Sequence, residues 1–118
     1  MTARYVILRH DHPEVHWDFM LEREGVLRTW RLPTPPMPGT MEAVALPDHR
    51  LAYLDYEGPV SGGRGAVACW DRGVYELLEA TADGGQARLI GDVLRALASW
   101  RRVEGTRWQF EFRDLAPW

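Results

Sequence analysis

The sequence predicts an all-β or mostly β protein, and three observations lead there. Short apolar runs alternate with polar residues at the two-residue period of a strand. Turns containing glycine or proline separate those runs at hairpin spacing. Six tryptophans, four tyrosines and three phenylalanines in 118 residues supply large rings suited to a pleated, half-buried surface. Many short strands joined by glycine turns fit a barrel or a sandwich, with short helical segments allowed at its flanks. Residues 1–118 read as a single domain, without repeats or linkers.

The first run, Tyr5-Val-Ile-Leu8, reads as a strand that delivers Arg9 and His10 at its end. Asp11-His-Pro13 breaks it. Over residues 15–21, Val15, Trp17, Phe19 and Leu21 point one way, toward a core. His16, Asp18, Met20 and Glu22 point the other way and form a polar face. Arg23-Glu-Gly25 is a tight turn, and residues 26–32 return as the partner strand. The proline-rich segment 33–39 is a stiff loop, because proline has no N–H to donate to a ladder. Residues 42–46 form a short strand, and 51–56 a strand or an irregular extended piece. Residues 58–65 carry four glycines and make a flexible loop with no phosphate-binding GxxxxGK[ST] or GxGxxG pattern. Residues 66–70 read as a strand, Asp71-Arg-Gly73 as a turn and 74–80 as the return strand. Asp83-Gly-Gly85 is another turn, and 87–90 a short strand stopped by Gly91. Residues 93–103 are open between two readings. Leu94, Ala96, Ala98 and Trp100 alternate as in a strand, whereas Val93, Leu94, Leu97 and Trp100 suit a helix face. Glu104-Gly105 is a turn, and Trp108-Gln-Phe-Glu-Phe112 a final strand.

The net charge of -3 excludes a global polycation, so any nucleic-acid surface must be a local basic face. All fourteen basic residues are arginine. Arginine favours bidentate contacts to phosphate, though a GC-rich genome also encodes it readily. Cys69 is the one cysteine, which excludes an intrachain disulfide; it is expected as a small buried hydrophobe. The start carries no signal-peptide pattern and no window reaches membrane-spanning length. The expected location is the cytoplasm, with nucleoid association if DNA is the substrate.

Chemistry concentrates in His10-Asp-His-Pro-Glu-Val-His16-Trp-Asp18-Phe, which holds three of the four histidines. His16 and Asp18 share one strand face two residues apart. His10 arrives from the end of the preceding strand, and His49 from a distant segment. Histidine and carboxylate together suit Mn²⁺ or Zn²⁺, and an incomplete shell leaves room for water or substrate. The plain alternative is that HxD spacing arises by chance. His12 on its turn needs no role, Tyr53 suits a half-buried ring, and Asp48, Asp55, Glu57 and Asp71 suit surface or turn positions. Glu22 is placed to orient a ligand histidine from behind.

These segments resemble the 3′-phosphoesterase domain of bacterial DNA ligase D. The family's His-Asp-x4-His-aromatic-Asp-Phe-Arg-Leu-Glu is similar to His10-Asp11 through His16-Trp-Asp18-Phe-Met-Leu-Glu22. Its Gly-Val-Leu-Lys-Ser-Trp resembles Gly25-Val-Leu-Arg-Thr-Trp30. Its Glu-Asp-His-Pro-Leu-x-Tyr-x-x-Phe-Glu-Gly resembles Pro47-Asp-His49-Arg-Leu-Ala-Tyr53-Leu-Asp-Tyr-Glu57-Gly58. Its glycine loop and Val-x-x-Trp-Asp-x-Gly resemble residues 58–65 and Val67-Ala-Cys-Trp-Asp71-Arg-Gly73. The order of the four segments is kept.

The resemblance implies a small antiparallel β-barrel with a manganese site on its rim. It implies a DNA-repair enzyme that removes a 3′-terminal ribonucleoside, and then the remaining 3′-phosphate, from primer-template ends. It places metal ligands at His10, His16, Asp18 and His49, and a phosphate contact at Tyr53. The departures are at Met20, Thr34 and near Met41, where the family carries basic residues. The family's N-terminal arm is expected to be missing and its glycine loop shortened. Arg9, Arg28, Arg31, Arg50 and Arg64 are the candidates to replace the lost cations. Two functions follow: a metal-dependent 3′-end phosphoesterase, or a catalytically weakened metal-binding module that recognises nucleic-acid ends or a DNA repair protein.

Overall fold

The computed structural model describes residues 3–115. Among them lie nine strands: β1 (Ala3–His10), β2 (His16–Arg23), β3 (Val26–Leu32), β4 (Gly39–His49), β5 (Gly58–Pro59), β6 (Ala66–Thr81), β7 (Gly84–Gly91), β8 (Arg95–Glu104) and β9 (Arg107–Asp114). All pair antiparallel in the order β1-β2-β3-β4-β9-β8-β7-β6-β5. β1 also pairs with β6, which closes the first eight into a barrel and leaves the two-residue β5 outside it. Closure removes the free edges that an open sheet would present. The helical content among the described residues is one four-residue 3₁₀ turn, Leu51–Leu54. The expected antiparallel barrel is therefore the observed one.

The interior is a stack of rings. Phe19 meets Phe110 edge-on at 5.4 Å, and Trp30 meets Trp108 at 5.5 Å and Trp100 at 5.9 Å. Such offset and edge contacts add to area burial. Trp17 and Trp70 pack against this cluster while partly exposed; Trp118 lies outside the described residues. The β2–β3 hairpin forms as expected, with Glu24 (φ 52°) and Gly25 (φ 83°) both left-handed at its tip. That geometry matches the twist of the flanking strands.

Several expectations are corrected. Val15 is 45% exposed and stands outside β2, so it is no core residue. Asp71-Arg-Gly73 is not a turn, because β6 runs unbroken through it. The strand serves two neighbours: its first half pairs with β1 and its second with β7. A register shift opposite Ile7 and Leu8 leaves Trp70 as the extra residue, which bends the strand. Gly73 sits where β6 and β7 converge, and a Cβ there would come 2.1 Å from the Ile90 carbonyl oxygen. Asp71 is buried, not a surface residue. It accepts hydrogen bonds from the Tyr5 hydroxyl (2.6 Å) and the Val93 and Leu94 amides (2.8 and 3.1 Å). Burial, followed by that bond to Asp71, pushes the Tyr5 phenol far above its ordinary pKa.

Of residues 93–103, Val93 and Leu94 precede the strand and the rest lie in β8: Ala96, Ala98 and Trp100 point inward, and the helix reading is excluded. Residues 51–56 contain the 3₁₀ turn, not a strand. The turn near Gly84 lies at residues 82–83, and both glycines belong to β7. Gly85 passes under Trp100, where a Cβ would meet the ring at 2.6 Å. Cys69 is half-buried, less enclosed than expected.

The face of β2 read as polar is also not solvated. Met20 packs outside the barrel wall with Val6, Leu8, Leu27, Val67 and Leu54 of the 3₁₀ turn. Segment 50–60 lies over this second cluster like a flap. Arg4 pairs with Asp55 at 2.6 Å, and Glu57 accepts the Cys69 amide at 3.2 Å, tying the flap to β1 and β6.

Candidate metal centre

His10 ends β1 and His16 begins β2, and the two are cross-strand partners; Asp18 faces Leu8 in the same ladder. Strand alternation puts all three on the outer side of the wall, at the margin of the second apolar cluster. His16 and Asp18 are only 5% and 3% exposed. Among the described residues these three form a group able to hold a metal ion, with ligand atoms all within 4.8 Å of one another.

Backbone carbonyls orient both rings. His10 Nε2 bonds the Arg64 carbonyl at 2.7 Å, and His16 Nδ1 bonds the Glu14 carbonyl at 2.8 Å. With carbonyls as acceptors, those nitrogens carry the protons. The opposite nitrogens then offer lone pairs: His10 Nδ1 lies 3.6 Å from Asp18 Oδ2, and His16 Nε2 lies 3.1 Å from Asp18 Oδ1. His16 Nε2 and Asp18 Oδ1 are buried without a hydrogen-bond partner. Two buried acceptors facing each other are costly unless a cation stands between them. A divalent ion fits that need, and two imidazoles with a carboxylate suit its chemistry. A proton on His16 Nε2 meets the same need in the absence of an ion. Burial pulls the His16 pKa down, but Asp18 and the Glu14 carbonyl outweigh it and the net shift is upward.

His49 ends β4 alongside Leu27, with Nδ1 bonded to the Pro47 carbonyl at 2.9 Å, so Nε2 is its bare nitrogen. It lies outside the three-residue group yet lines the same cavity, of about 290 Å³, as His10, Asp18 and Tyr53. Its ring meets Tyr53 edge-on at 5.8 Å. His12 is exposed on the 11–15 turn.

The other candidates separate. Glu22 Oε1 accepts the Arg4 amide at 3.0 Å, so its hydrogen bond goes elsewhere than to a candidate histidine. Arg9 is exposed and does not line the cavity. Arg28 stacks on Trp30 at 4.8 Å, on the interior side. Arg31 is the cross-strand partner of Asp18, and its buried Nε has no hydrogen-bond partner. Arg64 lines the cavity with its guanidinium held by the Ser61 carbonyl at 2.7 Å. Arg50 lines it too, and its side chain has no partner among the described residues. Of the three positions that depart from the resembled pattern, Met20 alone is on the cavity wall. Thr34 bonds the Pro35 carbonyl and sits 4.0 Å from Met41 Sδ. The orienting carbonyls of Glu14, Pro47 and Arg64 went unanticipated, since backbone groups leave no mark in residue identity.

A closed eight-stranded barrel with a His-His-Asp group on its outer wall, beside an arginine- and tyrosine-lined cavity, defines a small β-barrel with a candidate metal centre. Residues 8–111 match the DNA ligase D 3′-phosphoesterase domain, and the chain belongs to that family. It is 38% identical over 87 residues to the multifunctional non-homologous end joining protein LigD of Pseudomonas aeruginosa, covering 69% of this chain and 10% of that protein. It is 32% identical over 135 residues to the LigD protein of Mycobacterium bovis, covering 96% and 18% respectively. The chain thus spans less than a fifth of these relatives' length. Family membership supports a DNA-repair phosphoesterase role. No helix among the described residues is long and apolar enough to cross a membrane.

Proposed function

We propose that this domain is a manganese-dependent phosphoesterase that cleans 3′ ends of DNA, removing a 3′-terminal ribonucleoside and the 3′-phosphate left behind. The observation that carries this reading is the orphaned pair His16 Nε2 and Asp18 Oδ1, 3.1 Å apart, in a chain of this family. His10, His16 and Asp18 hold the ion, and His49 serves it from β4. Zn²⁺ or another divalent ion fits the same donors. When bound, the ion supplies Lewis-acid polarisation of a phosphoryl oxygen and a more acidic water. The Tyr53 hydroxyl, which has no hydrogen-bond partner among the described residues, donates to the substrate phosphate. Arg50 and Arg64 offset its charge from the cavity wall. The partners are DNA 3′ ends and, with them, end-joining repair proteins in the cytoplasm or nucleoid.

The test is purified protein with Mn²⁺ and primer-templates ending in a 3′-phosphate or a 3′-ribonucleoside. Conversion to a 3′-hydroxyl, abolished by chelation, is expected. No conversion at concentrations where a related domain acts overturns the reading. Met20 favours a second one: an apolar side chain on the cavity wall donates nothing to an oxyanion. A metal-binding module that recognises ends would then bind DNA with strong salt dependence and turn over nothing.

A further inference from the structure

A second cavity, of about 230 Å³, opens beside the candidate metal centre. The two share Arg50, Tyr53 and Val60 as a common wall, and the second adds Tyr56, Pro59 and Ser61. The rings run in a row from the metal side outward: His49 to Tyr53 at 5.8 Å, then Tyr53 to Tyr56 at 5.8 Å and 89°. The Tyr56 hydroxyl donates to the Pro59 carbonyl, which fixes its ring. The segment is held in place by buried Leu54 and by the Arg4–Asp55 and Glu57–Cys69 tethers. At the junction stands Arg50, whose guanidinium has no partner among the described residues.

We propose that this second cavity is a nucleoside subsite, the seat of the ribonucleoside that departs when a 3′-terminal ribonucleotide is removed. The inference rests on the phosphoesterase reading and names where its leaving group sits. Aromatic faces stack on a base of any identity, the Ser61 hydroxyl suits a ribose, and a bare arginine at the junction suits the phosphate between them. In that step the oxygen of water bonds to phosphorus and the P–O5′ bond breaks. The 5′ oxygen leaves with the bond's electron pair and takes up a proton, giving a free nucleoside and a 3′-phosphate end. Removal of the 3′-phosphate has inorganic phosphate as its second product and leaves this cavity empty.

The two reactions therefore respond differently to the same change. In the manganese-loaded full chain, Tyr56→Ala lowers the ratio of ribonucleoside removal to 3′-phosphate removal about tenfold, chiefly through KM. Tyr56→Phe, which keeps the ring, restores the ratio. Adenosine competes with the ribonucleoside-ended substrate, and Tyr56→Ala weakens adenosine without weakening inorganic phosphate. An unchanged ratio, or equal loss of adenosine and phosphate binding, overturns the proposal. If Tyr56→Ala does not fold, Tyr56→Leu, which keeps apolar packing against the second cluster but removes the aromatic face, replaces it with the same expected fall in ratio. Adenosine titration followed by NMR at the Tyr53, Tyr56 and Arg50 signals needs no turnover. A protein that binds adenosine there but converts no ends refutes the phosphoesterase reading alone. One that converts ends but leaves those signals unmoved refutes the subsite alone.

Discussion

The two faces of the β1–β2 wall are built from neighbouring residues and obey different rules. Inside, Trp17, Phe19 and Leu21 enter one packed aromatic cluster. Outside, His16, Asp18 and Met20 are as buried as their inward neighbours, yet two of them hide polar atoms without partners. The inner face is closed by the barrel, where all the strands but β5 supply a wall. The outer face is closed by one short flap held by Leu54 and two polar tethers. Inside, the unpartnered polar atoms are single indole N–H groups, on Trp17 and Trp30; outside, two acceptors face each other at 3.1 Å, which is how a rigid scaffold carries a site that needs a cation.

The contrast is broken most sharply from the inside. Phe19 is fully buried and touches Tyr5, Trp30, Phe110 and Phe112. Phe19→Ala is expected to cost about 3–5 kcal/mol in denaturant unfolding, from lost transfer energy plus a cavity. An effect below about 1 kcal/mol would show that the ring stack is not the core that holds the barrel. Three positions away, on the opposite face, the outcome inverts. His16→Ala removes one of the two facing acceptors, so unfolding in the presence of a chelator shifts by no more than about 1–2 kcal/mol. Manganese affinity by calorimetry falls more than about a hundredfold, because a candidate ligand is gone. A variant that loses its fold before its metal would contradict the division of labour between the faces.

This division explains what could be read from the residues alone. Alternation along residues 16–22 identifies both faces, and the His-x-Asp spacing identifies the site, because strand geometry acts at short range. What stayed hidden depends on distant chain. Asp71 looks like a turn residue beside Arg72 and Gly73, and only the return of β1 against β6 buries it with Tyr5. The outer face looks solvated until segment 50–60 is laid across it. The 3₁₀ turn has no hydrophobic period to announce it, and the carbonyls that orient His10, His16 and His49 carry no side-chain signature.

Met20 marks where the outer face gave apolar closure precedence over a phosphate donor. Met20→Arg places a guanidinium among Val6, Leu8, Leu27 and Val67, with its tip toward the cavity. Stability is expected to fall by about 1–3 kcal/mol, from overpacking and desolvation. Removal of a 3′-phosphate is expected to rise about tenfold, since a cation now faces the developing charge. A folded variant with unchanged turnover would mean that Arg50 and Arg64 already supply all the positive charge the cavity uses.

The smallest expected effect is at the flap's tether. The bond from Arg4 holds the Asp55 carboxyl below its usual range, with Coulombic attraction to Arg4 adding to it. A depressed carboxylate contributes stability above the unfolded pKa, and that contribution is lost as pH falls through the folded value. The loss should therefore begin near pH 4 and be complete at lower pH. The pair is exposed, so salt weakens it and the barrel as a whole barely registers the change. The flap does register it. Amide exchange at Tyr53 and Asp55, whose N–H groups bond the Arg50 and Ala52 carbonyls, should quicken severalfold in Asp55→Asn or in high salt. Exchange in β8 and β9 should not move. If the barrel amides quicken in step, flap and barrel open as one unit. The outer face would then share the stability of the inner one, and the two sides of the wall would no longer be separable.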